Sequence, residues 1–562
     1  MGDKMEKILL VEPNYRNKYP PIGLMKISTY YKNKGDFVVF HKGLLPKNEV
    51  EEFDKILITT LFTFDFEMCV QTIRYYATIV GIKNVFVGGI AATIMPEKFE
   101  EQISGIQILR GQLVDSTILG YNDKVNVDIL ELDYDILWDI SYEYPAADSY
   151  FIYTTRGCPR KCSFCAVKTL EPDFYDCNNI SSQIKNVDLK FGVKKNLLIM
   201  DNNILYSDKL SDSVNTLLKM GFGKKNNRIK KCNNMKFFLT SLWERRRINK
   251  KYDNLLARIK KEFENLKFNR ISKKDEEILQ TIVDSIGEIS DEEWIGNLKA
   301  HEDYIIDFFE RYHFHKITRY VDFNQGLDAR LFDEEKAEQL GKLAIKPCRI
   351  AFDDLKTKEA YFDAMENAVK HDIKYFSNYL LYNYGDTPEE LWTRLFLNIQ
   401  FCKKYDDISL FSFPMKYASI EHTDRDYVGK NWNKKFLRAI NVILNVTSGV
   451  VAKEEDFFLR AFGSNTNEFR MILTMPDDFI RFRDFFDEKG ITQLWKQYYS
   501  NLSEENKERL IGILEHVVEN PDILDIQYNE SIDNILPFYK ITKKKVENNP
   551  IYYLNLVNVT SE

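Results

Sequence analysis

Short apolar runs alternate with amphipathic stretches over the first 90 residues of the chain. Runs of this length, separated by segments with apolar residues three and four positions apart, are typical of a doubly wound parallel sheet. The pattern predicts strands at 7–12, 37–41, 55–59 and 84–87 and helices at 22–34 and 67–79. Gly88 and Gly89 close the last strand, at the edge where such sheets bind ligands.

From about residue 148 to 422 the pattern becomes strand, loop and helix in repeated order. The predicted strands are 150–154, 195–200, 319–323, 348–352, 374–382 and 408–413. Each strand ends in polar residues, which indicates a partial (β/α)6 barrel whose carboxyl-terminal rim carries the chemistry. Thr387, Pro388 and Glu390 form a capping box that predicts a helix start late in this series.

Two regions depart from this repeat. A charged helical insertion is predicted at 221–302, and the chain after residue 425 is mostly helical, with segments at 429–444, 454–462, 476–486 and 503–518. We therefore predict three parts: 1–145, a doubly wound domain; 146–425, the barrel with its insertion; and 426–562, a helical region. A chain of 562 residues is long enough for several cores.

Charge and composition exclude some classes of protein. The content is 44% hydrophobic and 29% charged, with a net charge of −7, which argues against a protein that coats nucleic acid. We find no apolar run of membrane-spanning length and no secretory signal, and apart from one trio the eight cysteines are scattered. A cytoplasmic protein without membrane partners is expected.

The insertion is first basic and then acidic. Its basic part, Arg245–Arg247 with neighbouring lysines, is interleaved with Trp243, Phe263 and Phe268, so residues 224–270 could contact nucleic acid. The favoured alternative is a helical hairpin whose basic and acidic arms pair with each other or face water. A docking surface for an acidic electron donor is a third interpretation.

Cys158, Cys162 and Cys165 form a C-x3-C-x2-C motif directly after the strand predicted at 150–154. Three thiolates on one loop can ligate three irons of a [4Fe-4S] cluster, which leaves the fourth iron open. The alternative is a structural zinc site with Cys177 as fourth ligand, but zinc sites usually pair two C-x2-C motifs.

The motif, together with Phe164 before its last cysteine, resembles the signature of the radical S-adenosylmethionine (SAM) enzymes. The resemblance implies that the open iron chelates SAM. It also implies that a one-electron donor such as a flavodoxin or ferredoxin drives cleavage of SAM to methionine and a 5′-deoxyadenosyl radical. Cys158, Cys162 and Cys165 would then be both the metal ligands and the catalytic centre, and Phe164 would help to bind the cofactor.

The same resemblance suggests residues for SAM binding. Asp201, Asn202 and Asn203, after the second barrel strand, are candidates for the amino group, although an Asx turn would account for them as well. Asn324, Gln325, Asp328 and Arg330, after the third strand, are candidates for the ribose, the carboxylate and the substrate. Asp328 and Arg330 could equally pair with each other.

The first domain resembles the cobalamin-binding-type domain that precedes many radical SAM barrels, through Pro20–Leu24 and Gly88–Ala92. The Asp-x-His-x-x-Gly motif of that domain is absent, and His41 is the only histidine before residue 146. Two interpretations therefore stay open: a domain that binds cobalamin without this histidine, and a sheet domain that binds no cofactor. The main hypothesis is hydrogen abstraction from an unidentified substrate. The alternatives are a cobalamin-dependent methyltransferase, a nucleic-acid-modifying radical SAM enzyme or, in a different class, a non-catalytic zinc- or nucleic-acid-binding module.

Overall fold

A computed structural model of the chain describes residues 5–177, 179–232, 234–266, 272–312 and 314–558. The chain divides into two compact units. The first holds the chain up to Gln325 together with Glu335–Lys346 and Ala418–Arg425. The second holds Gly326–Glu334, Pro347–Tyr417 and the chain from Asp426 onward. No helix of the described ranges is long and apolar enough to cross a membrane.

The strands of the described residues are β1 Lys7–Glu12, β2 Phe37–Lys42, β3 Lys55–Thr60, β4 Val85–Gly89, β5 Gln107–Leu109, β6 Ser149–Ile152, β7 Thr155–Arg156, β8 Tyr175–Asp176, β9 Asn196–Ile199, β10 Arg228–Cys232, β11 Phe314–Thr318, β12 Val321–Phe323, β13 Tyr375–Tyr382 and β14 Ser409–Lys416. The helices are α1 Ile22–Lys34, α2 Lys47–Val50, α3 Phe66–Val80, α4 Ile90–Ile94, α5 Pro96–Gln102, α6 Val167–Leu170, α7 Ile180–Phe191, α8 Leu210–Lys219, α9 Met235–Arg247, α10 Asp253–Glu264, α11 Lys273–Asp284, α12 Asp291–Ala300, α13 Glu302–Arg311, α14 Glu334–Gly341, α15 Lys358–Lys370, α16 Pro388–Lys404, α17 Lys434–Val446, α18 Glu455–Phe462, α19 Thr466–Thr474, α20 Asp477–Arg481, α21 Arg483–Glu488, α22 Ile491–Ser500, α23 Glu504–Glu515, α24 Glu530–Asp533, α25 Lys543–Asn548 and α26 Tyr552–Asn558. Short 3₁₀ turns join several of them.

The first unit begins with a five-stranded parallel sheet in the order β2-β1-β3-β4-β5. Its central strands are buried, and apolar side chains such as Leu9, Ile58 and Val87 pack with Val70 and Ile73 of α3. This confirms the doubly wound sheet predicted from the sequence. The strand order reverses between β1 and β3, so the ligand crevice of such a sheet lies at the carboxyl ends of these two strands.

A second parallel sheet in the same unit has the order β12-β9-β6. Tyr150 of β6 lies beside Leu197 of β9, which in turn lies beside Val321 of β12. Because the three strands are parallel, the residues that follow them emerge at one edge. The cysteine loop follows β6, Asp201 follows β9 and Asn324 follows β12, so the sheet collects three of the predicted site segments.

The insertion differs from its prediction. It contains the helices α9 to α13, packed around the buried Trp294, but it is bounded by the antiparallel pair β10 and β11. The charged helical insertion predicted at 221–302 thus also contains strand β10, and its pairing with β11 extends beyond residue 302. The sequence of β10, RIKKC, lacks alternating apolar residues, and the strand is held by its backbone ladder to β11. Phe268, named above, lies outside the described residues.

The second unit contains the parallel pair β13 and β14. The predicted strand 348–352 is present as three isolated bridges, Cys348 to Phe376, Ile350 to Leu327 and Ala351 to Tyr379, so the prediction of a regular strand is wrong. Helix α16 begins as predicted, with Thr387 and Glu390 forming a complete capping box. The helix predicted at 476–486 is instead two short helices that meet at Phe482. The described residues thus form a mixed α/β fold, and the partial (β/α)6 barrel stays a prediction.

Candidate cluster site

A small hairpin carries the three motif cysteines. After β6, strands β7 and β8 pair in antiparallel fashion, and the loop between them contains Cys158, Cys162 and Cys165. All three side chains are half-buried and none is in a disulfide. The backbone N–H of Cys165 donates to the carbonyl oxygen of Cys162 at 3.1 Å, which closes a tight turn between the last two cysteines. The motif is thus presented on a single, locally folded loop.

Gly157 fixes the approach to the first cysteine. Its φ is +71°, and a Cβ at this position would lie 2.1 Å from the carbonyl oxygen of Asp173, so a larger residue would force the hairpin apart. The Gly157 N–H donates to Glu171 Oε2 at 2.7 Å. The backbone immediately before Cys158 therefore lies close against the returning arm of the hairpin, at Glu171 and Asp173.

Arg156 is the centre of a buried charged network behind the loop. Its Nη1 donates to Glu171 Oε1 at 2.6 Å, its Nη2 binds the carboxylate of Asp128, and its guanidinium lies 3.6 Å from the ring centre of Tyr153. Lys26, on α1, also contacts Asp128, with 3.0 Å between Nζ and Oδ1. Burial alone would raise the pKa of Asp128, but the charges of Lys26 and Arg156 outweigh it and lower that pKa. The network joins the first helix of the unit to the cysteine loop.

The thiol of Cys165 has a raised pKa. Burial raises the pKa of Cys165, and the neighbouring Cys162 and Cys158 raise it further, while a backbone hydrogen bond from Val167 opposes the shift. Thiolates that repel one another are stabilised when metal ions share their charge. Three thiols on one loop fit a [4Fe-4S] cluster, in which each iron takes one protein thiolate.

The described residues contain no group of three or more His, Cys, Asp and Glu side chains that could hold a single metal ion. Cys177, the fourth ligand of the zinc alternative, follows β8, and its N–H donates to the Thr154 carbonyl oxygen at 2.7 Å. Burial and the nearby charge of Asp201 raise the pKa of Cys177 to about 11. Cys177 is thus a protonated thiol at neutral pH unless a metal binds it.

The three residues after β9 have different environments. Asp201 is buried and accepts hydrogen bonds from the Thr154 N–H, at 2.7 Å, and from the Thr154 hydroxyl. Burial raises its pKa to about 6, although these hydrogen bonds oppose the shift. Asn202 donates to Glu171 Oε2 at 2.8 Å, and Asn203 Nδ2 lies 3.6 Å from Cys158 Sγ. Asn203 is thus the member of this segment that contacts a cluster cysteine.

The other predicted residues are distributed over both units. In the first, Asn324 Oδ1 accepts from the Tyr19 hydroxyl at 2.6 Å, Gln325 is exposed and Phe164 is half-buried in the cysteine loop. In the second, Arg330 Nε donates to Asp328 Oδ1 at 2.8 Å, and the same carboxylate caps the short turn that holds Arg330. Asp328 and Arg330 therefore pair with each other, which is the alternative named for them in the sequence analysis.

Sequence reasoning missed the supporting network. Lys26, Asp128, Arg156 and Glu171 were not singled out, because they lie up to 145 positions apart and no spacing rule connects them. One signal was present: Arg156 follows the apolar run 150–153, and a charged side chain at the end of a buried strand requires a partner. The partner itself could not be read from the sequence.

The ligand edge of the five-stranded sheet is also filled by charged and aromatic residues. Glu12, at the end of β1, is buried and lies 2.5 Å from Lys42 Nζ. After β3, the rings of Phe62 and Phe64 stack at 4.9 Å, and the Arg425 guanidinium lies 3.8 Å from the Phe64 ring centre. Burial lowers the pKa of His41, which lies on β2. The segments that follow β1 and β3 thus offer aromatic faces rather than a histidine ligand.

Comparisons with known proteins give matches among solved structures alone. No family model matches the chain, and no curated protein matches it. Two matching structures are of the radical S-adenosylmethionine methyltransferase TsrM from Kitasatospora setae. One has cobalamin and a [4Fe-4S] cluster bound (14% identity, TM-score 0.41, 74% of this chain and 75% of that chain covered). The other has the tryptophan substrate and a SAM analogue bound (13% identity, TM-score 0.41, 72% of each chain covered).

Proposed function

We propose that the protein is a radical SAM enzyme that binds a [4Fe-4S] cluster through Cys158, Cys162 and Cys165. The observation that carries the proposal is the single loop of three cysteines at the carboxyl end of a parallel sheet, with an amide 3.6 Å from Cys158 Sγ. When bound, such a cluster supplies the electron and the open iron for reductive cleavage of SAM. A one-electron donor is therefore a required partner.

The chain's own residues prepare this loop. Gly157 permits the tight approach to Cys158, and Arg156 with Glu171 holds the loop against the sheet. The Asn203 amide donates toward Cys158 Sγ, and hydrogen bonds to ligating sulfurs stabilise their negative charge. Asp201 locks the end of β6 through Thr154 and so acts as a positioning residue for the loop. These contacts reduce the conformational freedom that cluster assembly would otherwise have to remove.

The SAM contacts remain proposals for individual residues. Asn202 and Asn203 follow β9, the neighbour of β6, and Asn324 follows β12 on the other side of β9, so their amides belong to the sheet edge that carries the cysteine loop. Gln325 and Phe164 are assigned to the same role on their positions in the sequence. Asp328 and Arg330 bind each other, so a role in holding the cofactor would require this pair to open.

The reaction outcome is proposed at two levels. The coarse level is SAM-dependent radical chemistry on an unidentified substrate. At the finer level, we propose cobalamin-dependent methyl transfer rather than simple hydrogen abstraction; both similar structures are of a methyltransferase, one of them with cobalamin bound. The crevice between β1 and β3 of the five-stranded sheet is the part of the chain that would hold cobalamin. The Asp-x-His-x-x-Gly motif that would supply a histidine ligand is absent from this domain.

The proposal is tested by anaerobic reconstitution with iron and sulfide, followed by reduction with SAM present. We expect about four irons per protein, SAM cleavage, and loss of both in Cys162→Ala. Cys177→Ala is the matched control, because it removes a half-buried thiol of the same hairpin outside the motif. Zinc without iron, lost in both variants, would overturn the proposal and indicate a four-cysteine zinc site.

A second assay separates the two outcomes. Reconstitution with hydroxocobalamin, followed by gel filtration and absorbance spectroscopy, measures whether corrin remains bound. Retained corrin, with S-adenosylhomocysteine as product, would support methyl transfer, whereas 5′-deoxyadenosine without corrin would support hydrogen abstraction. Replacing Phe62 and Phe64 by alanine is expected to weaken corrin binding, because the two stacked rings follow β3 at the crevice.

A further inference from the structure

The sheet of the second unit has two unlike faces. On β13 and β14, alternate side chains point to opposite sides, so each strand contributes every second residue to a face. Phe376, Asn378, Leu380, Leu410 and Ser412 are buried on the face that packs against α16. This face belongs to the core of the unit.

The opposite face is apolar and exposed. Phe411 is 43% exposed, Phe413 38% and Met415 43%, and all three lie on the same side of β14. Tyr379, paired with Phe413 across the strands, contributes a ring perpendicular to it at 6.2 Å. Exposed large apolar residues that are scattered need no explanation, but a contiguous row of them marks a binding surface.

A cation borders this aromatic row. The Arg349 guanidinium lies 5.3 Å from the ring centre of Tyr379, and its Nη1 donates to Ser377 Oγ at 3.3 Å. The carboxylate next to this surface, Asp353, accepts from the Leu381 N–H at 3.1 Å, and burial raises its pKa, which favours the neutral form. Arg349 thus places a guanidinium at the border of the row.

We propose that this face, defined by Tyr379, Phe411, Phe413 and Met415, binds an aromatic ring of the substrate, and that Arg349 binds an anionic group on it. Calling the ligand the substrate rests on the proposed function. Flat apolar rings gain most from stacking on Phe and Tyr, and an anion gains from the guanidinium beside them. The combination selects an aromatic carboxylate or a similar anion over a sugar or a peptide of mixed polarity.

The test uses two fluorescent probes on the full-length protein: 1-anilinonaphthalene-8-sulfonate, an aromatic anion, and N-phenyl-1-naphthylamine, its uncharged analogue. Both should bind wild type saturably, and Phe411→Ser/Phe413→Ser should weaken both by about tenfold, because two apolar contacts are lost. Leu189→Ser, on α7, is the matched control, since Leu189 is a more exposed apolar residue outside this face. The control should leave both dissociation constants unchanged.

The anionic part is tested by Arg349→Gln. We expect the sulfonate probe to bind about tenfold more weakly and the neutral probe to bind as before, because only the sulfonate loses a charge-assisted contact. Equal loss of both probes would overturn the assignment of Arg349. Unchanged binding in Phe411→Ser/Phe413→Ser would overturn the whole proposal.

Two further outcomes are distinguishable. If gel filtration shows a wild-type dimer that Phe411→Ser/Phe413→Ser converts to a monomer, a second copy covers the face and the proposal is overturned. If the probes behave as expected but the wild type never binds iron, the aromatic-anion site stands and the radical SAM proposal fails. Circular dichroism melting of every variant separates lost binding from lost folding.

Discussion

The cysteine hairpin and the charged insertion both contain ion pairs, but the pairs differ in burial. Behind the hairpin, Arg156 is almost fully buried and its guanidinium is shared between Asp128 and Glu171. In the insertion, Arg246 pairs with Glu292 and Arg247 pairs with Glu244 at the surface, where the Arg247 side chain is 69% exposed. Water screens the surface pairs, whereas the buried charges interact at low dielectric and cannot be left alone.

This difference shows what a run of basic residues can mean. Arg245, the first of three adjacent arginines, is buried and binds Asp139 and Asp135 at 2.8 and 3.1 Å, while the next two lie at the surface. Lys260 pairs with Asp291 in the same manner as the surface arginines. The pairs Arg246–Glu292 and Lys260–Asp291 join the basic part of the insertion to its acidic part, as expected if the two arms pair with each other. Nucleic-acid binding by 224–270 stays a prediction without a contact that favours it.

Among the variants that test this difference between buried and surface ion pairs, Arg156→Leu should have the largest effect. Asp128 and Glu171 would remain buried near the loop with less compensating charge, which typically costs about 3–5 kcal/mol of unfolding free energy. Urea denaturation of the apo-protein measures the cost, and iron analysis after reconstitution should show a loss of cluster loading. Arg156→Lys keeps the positive charge but loses the two-pronged guanidinium contact, so its unfolding free energy should lie between those of the wild type and Arg156→Leu. A stability change below about 1 kcal/mol would place Arg156 with the surface pairs.

Asp201 sharpens the comparison, because it is a buried carboxylate whose hydrogen bonds come from Thr154 rather than from a guanidinium. Its pKa is raised from 3.8 to about 6, so the folded state binds the proton more tightly than the unfolded state does. Its ionisation therefore costs nothing below about pH 4 and reaches its full cost above about pH 6, on the order of 3 kcal/mol. Unfolding free energy should thus fall across this window, and Asp201→Asn should remove this part of the pH dependence. An identical pH profile in both proteins would contradict the assignment.

A smaller effect is expected from Asn203→Leu. The variant removes the amide donor at 3.6 Å from Cys158 Sγ, which would stabilise the more negative, reduced form of the proposed cluster. The midpoint potential should fall by about 40 mV, the one-electron equivalent of a hydrogen bond worth about 1 kcal/mol. Redox titration followed by electron paramagnetic resonance measures it, and Asn202→Leu is the control, because Asn202 binds Glu171. Equal potentials in the wild type and Asn203→Leu would exclude this hydrogen bond as a tuning contact.

The smallest effect belongs to the surface pair of Arg246 and Glu292. A double-mutant cycle with Arg246→Gln and Glu292→Gln should give a coupling energy of about 0.2–1 kcal/mol that decreases with added salt. The same variants test the nucleic-acid prediction. If salt-dependent RNA binding is present and is lost in Arg246→Gln, the surface arginines serve a ligand rather than the fold.

Local regularity explains how well the elements were predicted. Helix α1 spans Ile22–Lys34 and strand β1 spans Lys7–Glu12, as the hydrophobic pattern predicts, and the box of Thr387 and Glu390 begins α16. These signals act over a few residues, so the sequence contains them in full. The predictions that fail are those of elements set by neighbours: β10 owes its form to β11, and residues 348–352 form bridges rather than a ladder.

The sequence by itself determined the cysteine motif, the parallel first sheet and the polar residues at the strand ends. Tertiary structure alone decided which of those polar residues hold the loop and which meet a cysteine: Asp201 binds Thr154, and Asn203 lies beside Cys158. It also decided that Arg156 and Lys26 share the carboxylate of Asp128. The physical reason is that a motif depends on spacing along the chain, whereas burial and charge compensation depend on which distant segments pack together.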